Sequence, residues 1–118
     1  MRAVNRGRGT ELARSVEKAD SFRARLRGLI GRPSLAEGAA LWIVPSRGVH
    51  TLGMAFPIDV LFLDRALRVV AVEEHLHPGR LTPIRWKART VLELPAGTLR
   101  RTGTRPGDQI DMSNAEGK

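Results

Sequence analysis

The sequence predicts an α+β fold: a small single domain with a curled, mainly antiparallel, barrel-like β-sheet and one main helix near the N-terminus. Three observations carry that reading. Short apolar and β-branched runs recur along the chain, bounded by Pro or by Asp-containing turns. One helical stripe stands among them, without a strand–helix–strand rhythm. The 118 residues are too few for two independent cores, since each would fall near the size at which folding becomes marginal.

Each element follows from local chemistry. Residues 1–9 mix Gly with Arg and lack apolar periodicity, so they read as a flexible basic arm before a domain over residues 10–112. Thr10 to Ala19 alternates imperfectly and fits an edge strand, with Leu12 and Val16 on its inner face. Asp20 and Ser21 offer short side-chain oxygens to the exposed N–H groups of a helix start. Phe22, Leu26, Leu29 and Ile30 then fall at spacings of four, three and one, a helical stripe whose other faces carry Arg23, Arg25 and Arg27. Gly28 and Gly31 weaken its end, and Pro33 forbids continuation past Arg32.

The remaining elements are strands and turns. Ala40–Val44, Val60–Leu63 and Leu67–Glu73 are expected strands, with Asp64-Arg65 turning the chain after the second. Pro78-Gly79 and Thr82-Pro83 mark a loop of about fifteen residues, long enough to be a functional candidate. Arg89–Leu94 alternates in part and stops at Pro95, and Gly97–Arg101 allows one helical turn. Pro106-Gly107-Asp108 is a turn, Gln109–Met112 a closing strand, and residues 113–118 a frayed tail.

Composition narrows the chemistry. The absence of cysteine excludes a disulfide framework, thiolate metal sites, iron–sulfur clusters and Cys nucleophiles. The basic N-terminus leads into no apolar segment, and the longest uncharged stretch, Gly48–Ile58, is too short to span a bilayer. A monomeric cytoplasmic domain without membrane contact is the expectation. The net charge of +8 divides as +6 over residues 1–32, −2 over 33–79 and +4 over 80–118. Arg-rich ends attract polyanions, so nucleic-acid binding through the termini is one functional reading. Only Trp86, between Arg85 and Lys87, pairs an aromatic ring with flanking cations; Phe56 and Phe62 lie in an apolar run and read as core.

The densest segment is His50-Thr51-Leu52-Gly53-Met54-Ala55-Phe56-Pro57-Ile58-Asp59-Val60-Leu61-Phe62-Leu63-Asp64. An aspartate in such surroundings is partly buried and needs donors from backbone N–H groups, an Arg or a His. Together with RLRGLIGR (Arg25–Arg32), VLELPAGT (Val91–Thr98) and the Gly107-Asp108 turn, this string resembles domain-of-unknown-function family 192 over about residues 10–112. The chain carries the alternative His50-Thr51-x-Gly53-Met54 form where some members of that family have a Trp-Met-Lys-Asn-Thr type string. The resemblance implies a compact α+β domain with a barrel-like sheet, found in bacteria and archaea, and neither an established activity nor a cofactor.

Three functions compete on these residues. A binding or accessory domain would hold a small polar or anionic ligand, or a protein partner, near His50, Thr51, Gly53, Met54 and Asp59. A hydrolase-like enzyme would use His50 as base, Asp59 to orient it, and Ser46 or Thr51 as nucleophile. The structural alternative has Asp59 capping backbone donors or pairing with an Arg, with His50 packed beside it. The third function is the nucleic-acid reading above. On a strand, His75 and His77 would share a side, and with His50 and Asp59 or Glu74 they would make a metal shell; exposed loop histidines are the plainer reading. No elbow, phosphate loop or His-Glu-x-x-His signature occurs, so no cofactor, metal or catalytic residue is assigned. Glu93, set among Val91, Leu92 and Leu94, is an inward-facing charge that requires a partner, and Arg25, Arg27 or Arg32 could turn inward to meet it.

Overall fold

The computed structural model describes residues 1–114. Over that range the apolar runs become eight strands: β1 Arg2–Asn5, β2 Thr10–Ala13, β3 Ser15–Ala19, β4 Ala39–Ile43, β5 Ile58–Leu63, β6 Val69–Leu76, β7 Thr90–Pro95 and β8 Ile110–Ser113. Two short helices, α1 Phe22–Arg27 and α2 Thr98–Thr102, complete the inventory. The domain is therefore small, single and mostly β. No helix among the described residues is long and apolar enough to cross a membrane.

The strands form two sheets, in the orders β2-β1-β8 and β3-β4-β7-β5-β6, antiparallel except where β3 runs parallel to β4. This corrects the expected single barrel-like sheet: no closed barrel is present among the described residues. The reason lies at Arg14. Its N–H and that of Ser15 both donate to the Gly38 carbonyl, at 2.9 and 3.0 Å, and the chain changes sheets there. Thr10–Ala19 is thus two strands, although Leu12 and Val16 do face inward as expected. The parallel β3–α1–β4 connection also supplies the strand–helix–strand unit that the sequence concealed.

Residues 1–9 are not a loose arm. Arg2–Asn5 is the middle strand of the smaller sheet, with Ala3 and Asn5 fully buried. The missed signal was a period of two, Ala3 and Asn5 facing inward, in a segment of only four residues flanked by arginines. Ser113, assigned to a frayed tail, pairs with Arg2 at the end of β8; residues 115–118 lie outside the described range.

Strands β5 and β7 of the larger sheet are buried on both faces, which is why apolar residues fall on consecutive positions at Val60–Leu63 and at Val91 and Leu92. On one face Leu61, Leu63, Leu92 and Leu94 pack with Ala3, Leu12 and Ile110 of the smaller sheet. On the other, Leu41, Ile43, Val60, Phe62 and Val91 pack with Leu29, Val49 and Met54 from the connecting segments. The helix departs from expectation on this second face. Leu29 is buried, but Phe22 and Leu26 are 74% and 61% exposed. The helix stops after six residues with Gly28 as its C-cap, so the stripe straddles a helix end and only the part beyond it enters the core.

Candidate functional site

Asp59 is buried at the start of β5 and spends both oxygens on backbone donors. Oδ1 accepts from the N–H of His75 at 2.8 Å; Oδ2 accepts from Gly97 at 3.1 Å and Leu99 at 2.9 Å. The carboxylate therefore caps the start of α2, where Gly97 offers no side-chain cap, and pins β6 where His75 adopts a φ of 52°. Thr51 is equally committed. Its hydroxyl donates to the His77 carbonyl at 2.6 Å and accepts from Arg80 N–H at 2.9 Å, tying down the long loop before β7. Gly53 supplies a turn at φ 79°, between Thr51 and the buried Met54. Asp59, Thr51 and Gly53 thus build the scaffold, with no side chain of theirs in a cleft.

His50 and Met54 do line a cleft, of about 250 Å3, between α1 with the residues after it and the segment following β4. Phe22 and Leu26 stand at this cleft too, which accounts for the placement of the outward half of the helical stripe. Arg25 also lines it, donating from Nη1 to the Pro45 carbonyl at 3.2 Å while its Nε–H is buried without an acceptor. Ser46 lies nearby, but its hydroxyl donates to the Gly48 carbonyl at 2.8 Å.

The residue that defines the cleft is Glu93. In the central strand β7 it stands in register with Leu41 of β4 and Val60 of β5, on the face covered by α1. It is 2% exposed, and its Oε1 has no hydrogen-bond partner. Burial raises its pKa from 4.5 to about 7, against the opposing attraction of Arg32, whose guanidinium pairs with Glu17 at 3.1 Å. The Nδ1 of His50 is also buried without a partner. Three residues that line one cleft, Glu93, His50 and Arg25, thus each carry a buried unpaired polar atom, and the rest of the cleft wall is largely apolar. Such an arrangement offers a small molecule donors, acceptors and an apolar body contact, with a carboxyl able to change charge near neutral pH.

The other assemblies considered from sequence do not form. No hydrogen bond joins His50 to Asp59 among the described residues, and the hydroxyls of Ser46 and Thr51 are bonded to carbonyls. His75 and His77 do lie together, their rings edge-to-face with centroids 4.8 Å apart, both exposed at the end of β6. They gain no third ligand: among the described residues no group of three His, Asp or Glu side chains is placed to hold a metal. The sequence singled out Glu93 as a charge in need of a partner, but not as the centre of the site. The signal available was its spacing of two from Val91, which sets both on one face of the strand.

Two sheets with a cleft beneath a short helix define a small, mostly β single domain. Residues 3–112 match the model of the DUF192 family, described as an uncharacterised ACR. The chain belongs to that family, known also as UPF0127. It is 31% identical to the UPF0127 protein of Thermococcus sibiricus, over 96% of this chain and 75% of that one. It is 32% identical to that of Pyrococcus horikoshii, over 91% and 95%. Among solved structures it is similar to a Sinorhizobium meliloti protein described as a candidate transcription regulator, with a TM-score of 0.79 and 25% identity, covering 93% of this chain and 89% of that one. A protein of unknown function from Novosphingobium aromaticivorans shares the fold, with a TM-score of 0.75 at 22% identity, over 82% and 74% of the two chains.

Proposed function

We propose that this protein is a binding domain that takes a small polar ligand in the cleft between α1 and residues 45–54. One observation carries the reading: Glu93, His50 and Arg25 all line that cleft, and each carries a buried polar atom without a hydrogen-bond partner. Buried polar atoms are nearly always hydrogen-bonded, so three residues with such orphans around one concavity mark a place where a ligand completes the network. Phe22, Leu26 and Met54 supply the apolar contact that excludes water around those bonds. The ligand therefore has a compact apolar body and a head that both donates and accepts. An acceptor group suits Arg25, and a donor suits Glu93 once its carboxyl is ionised.

A thermal-shift screen of small polar metabolites against the wild type, His50→Ala and Glu93→Gln tests this reading. The expected result is a set of compounds that raise the wild-type melting temperature and lose most of that effect in both variants. Hits that stabilise all three proteins equally, or no hits at all, would contradict it.

A further inference from the structure

Trp86 is 78% exposed, on the long loop that runs into β7. The other tryptophan, Trp42, is half-buried under the ammonium group of Lys18, 5.4 Å from its ring centroid. Around Trp86 runs a shallow groove of about 480 Å3, on which Arg47, Arg65, Lys87 and Arg89 converge from three segments of the chain. One carboxylate, Asp64, shares the groove, and its Oδ1 is turned to its own turn, accepting from Ala66 and Arg68 N–H groups at 2.9 Å each.

Charge pairing separates this groove from the first strand and the turn after it. Near the N-terminus Arg2 pairs with Glu11 at 3.1 Å, Arg6 with Asp111 at 2.8 Å and Arg8 with Asp108 at 2.7 Å. None of the four groove cations has an acidic partner within 4.0 Å among the described residues. Four cations without an ion-pair partner therefore stand around one exposed indole, whereas the three arginines nearest the N-terminus are paired. The groove is also held in place. Arg47 Nε donates to the Ala88 carbonyl at 3.0 Å, Arg85 N–H donates to the Arg47 carbonyl at 2.8 Å, and Ala88 is fully buried between them.

We propose that this groove binds single-stranded nucleic acid, stacking a base on Trp86 and setting the adjoining phosphates on Arg47, Arg65, Lys87 and Arg89. The cations alone would suit any polyanion. The flat, exposed indole among them distinguishes the strand, because every base has a π-face to stack while an acidic peptide leaves the ring uncovered. The groove shares no lining residue with the Glu93 cleft, though Arg47 stands between Ser46 and Gly48 of that cleft.

The test is fluorescence anisotropy of the whole protein with a labelled oligothymidylate of about 12 nucleotides. Four phosphate contacts predict a roughly fifty-fold loss of affinity between about 50 and 200 mM salt. Trp86→Ala should weaken binding by roughly tenfold or more, and Trp86→Phe by much less. Arg65→Glu with Lys87→Glu should flatten the salt dependence, whereas Arg100→Glu with Arg101→Glu, on the exposed face of α2, should leave the indole-dependent binding in place. All of these positions are exposed, so melting curves should match the wild type. Absence of binding, indifference to Trp86→Ala, or equal competition by polyglutamate, the same sequence as a duplex or a free mononucleotide would overturn the proposal.

Discussion

Gly28 closes over Glu93: a Cβ at residue 28 would stand 3.9 Å from the Glu93 Oε1. That is ordinary contact distance, so space alone does not demand glycine here. The backbone does, because Gly28 adopts φ 52° and ψ −126° while its N–H donates to the Ala24 carbonyl at 3.0 Å to end α1. Gly28→Ala should therefore destabilise the protein by about 1–3 kcal/mol through strain at the helix end. Urea denaturation measures it. An unchanged midpoint would show that the residue accepts another conformation.

The Glu93 carboxyl makes stability depend on pH. With a folded pKa of about 7 against 4.5 for the free group, the folded protein keeps a proton that the unfolded chain has already released between those values. Stability accordingly falls as pH rises through that window, by roughly 3 kcal/mol if nothing relaxes, and stays low above it. Glu93→Gln mimics the protonated form and should remove this fall, so the variant gains on the wild type from pH 5 to pH 8. Parallel stability profiles for the two proteins would place the carboxyl in a wetter or better-paired site.

Asp59→Asn should act on folding. The amide nitrogen would face a backbone N–H where a carboxylate oxygen now accepts, leaving at least one buried donor unpaired at His75, or at Gly97 and Leu99. A loss of at least about 2 kcal/mol is expected, visible as a melting temperature lower by several degrees. A normal melting temperature would return Asp59 to the list of functional groups.

The sequence made the central strands, the turns and the scaffold pair legible for physical reasons. Asp59 in an apolar run had to find donors, and backbone donors were among those expected. Ser21 caps α1 as its position suggested, its Oγ accepting from Ala24 N–H at 3.1 Å. What stayed hidden were relations across the chain. Little local marks Arg2–Asn5 as the middle strand of its sheet, because one of its two partners, β8, comes from the far end of the sequence. Nothing local shows that Phe22 and Leu26 face a cleft rather than the core, since the stripe is continuous in sequence and broken only by the C-cap at Gly28. The burial of Glu93 was hidden for a related reason: it is set by the two strands on either side of β7.

The hydrogen bonds that join the two chain ends should give the opposite pH response from Glu93. The Arg8 guanidinium, followed by the side chain of the buried Asn5 and the Arg105 N–H, holds the Asp108 carboxyl down at about 2, below its usual 3.8. This contribution is whole above 3.8 and is lost as pH falls through about 2. Asp108→Asn should thus be less stable than the wild type at neutral pH and converge with it in acid melts. A constant gap across pH would assign the loss to packing around Asn5 instead of charge.

The claim that the cleft is a ligand site is tested most directly by two-dimensional NMR of the isotope-labelled protein against a library of small polar compounds. Binding should shift the amides of Gly28, Val49, His50 and Glu93 together, with the Glu93 side-chain carboxyl resonance changing its titration midpoint when a hit is bound. Hits that move other surfaces and leave Glu93 titrating as before would contradict the account.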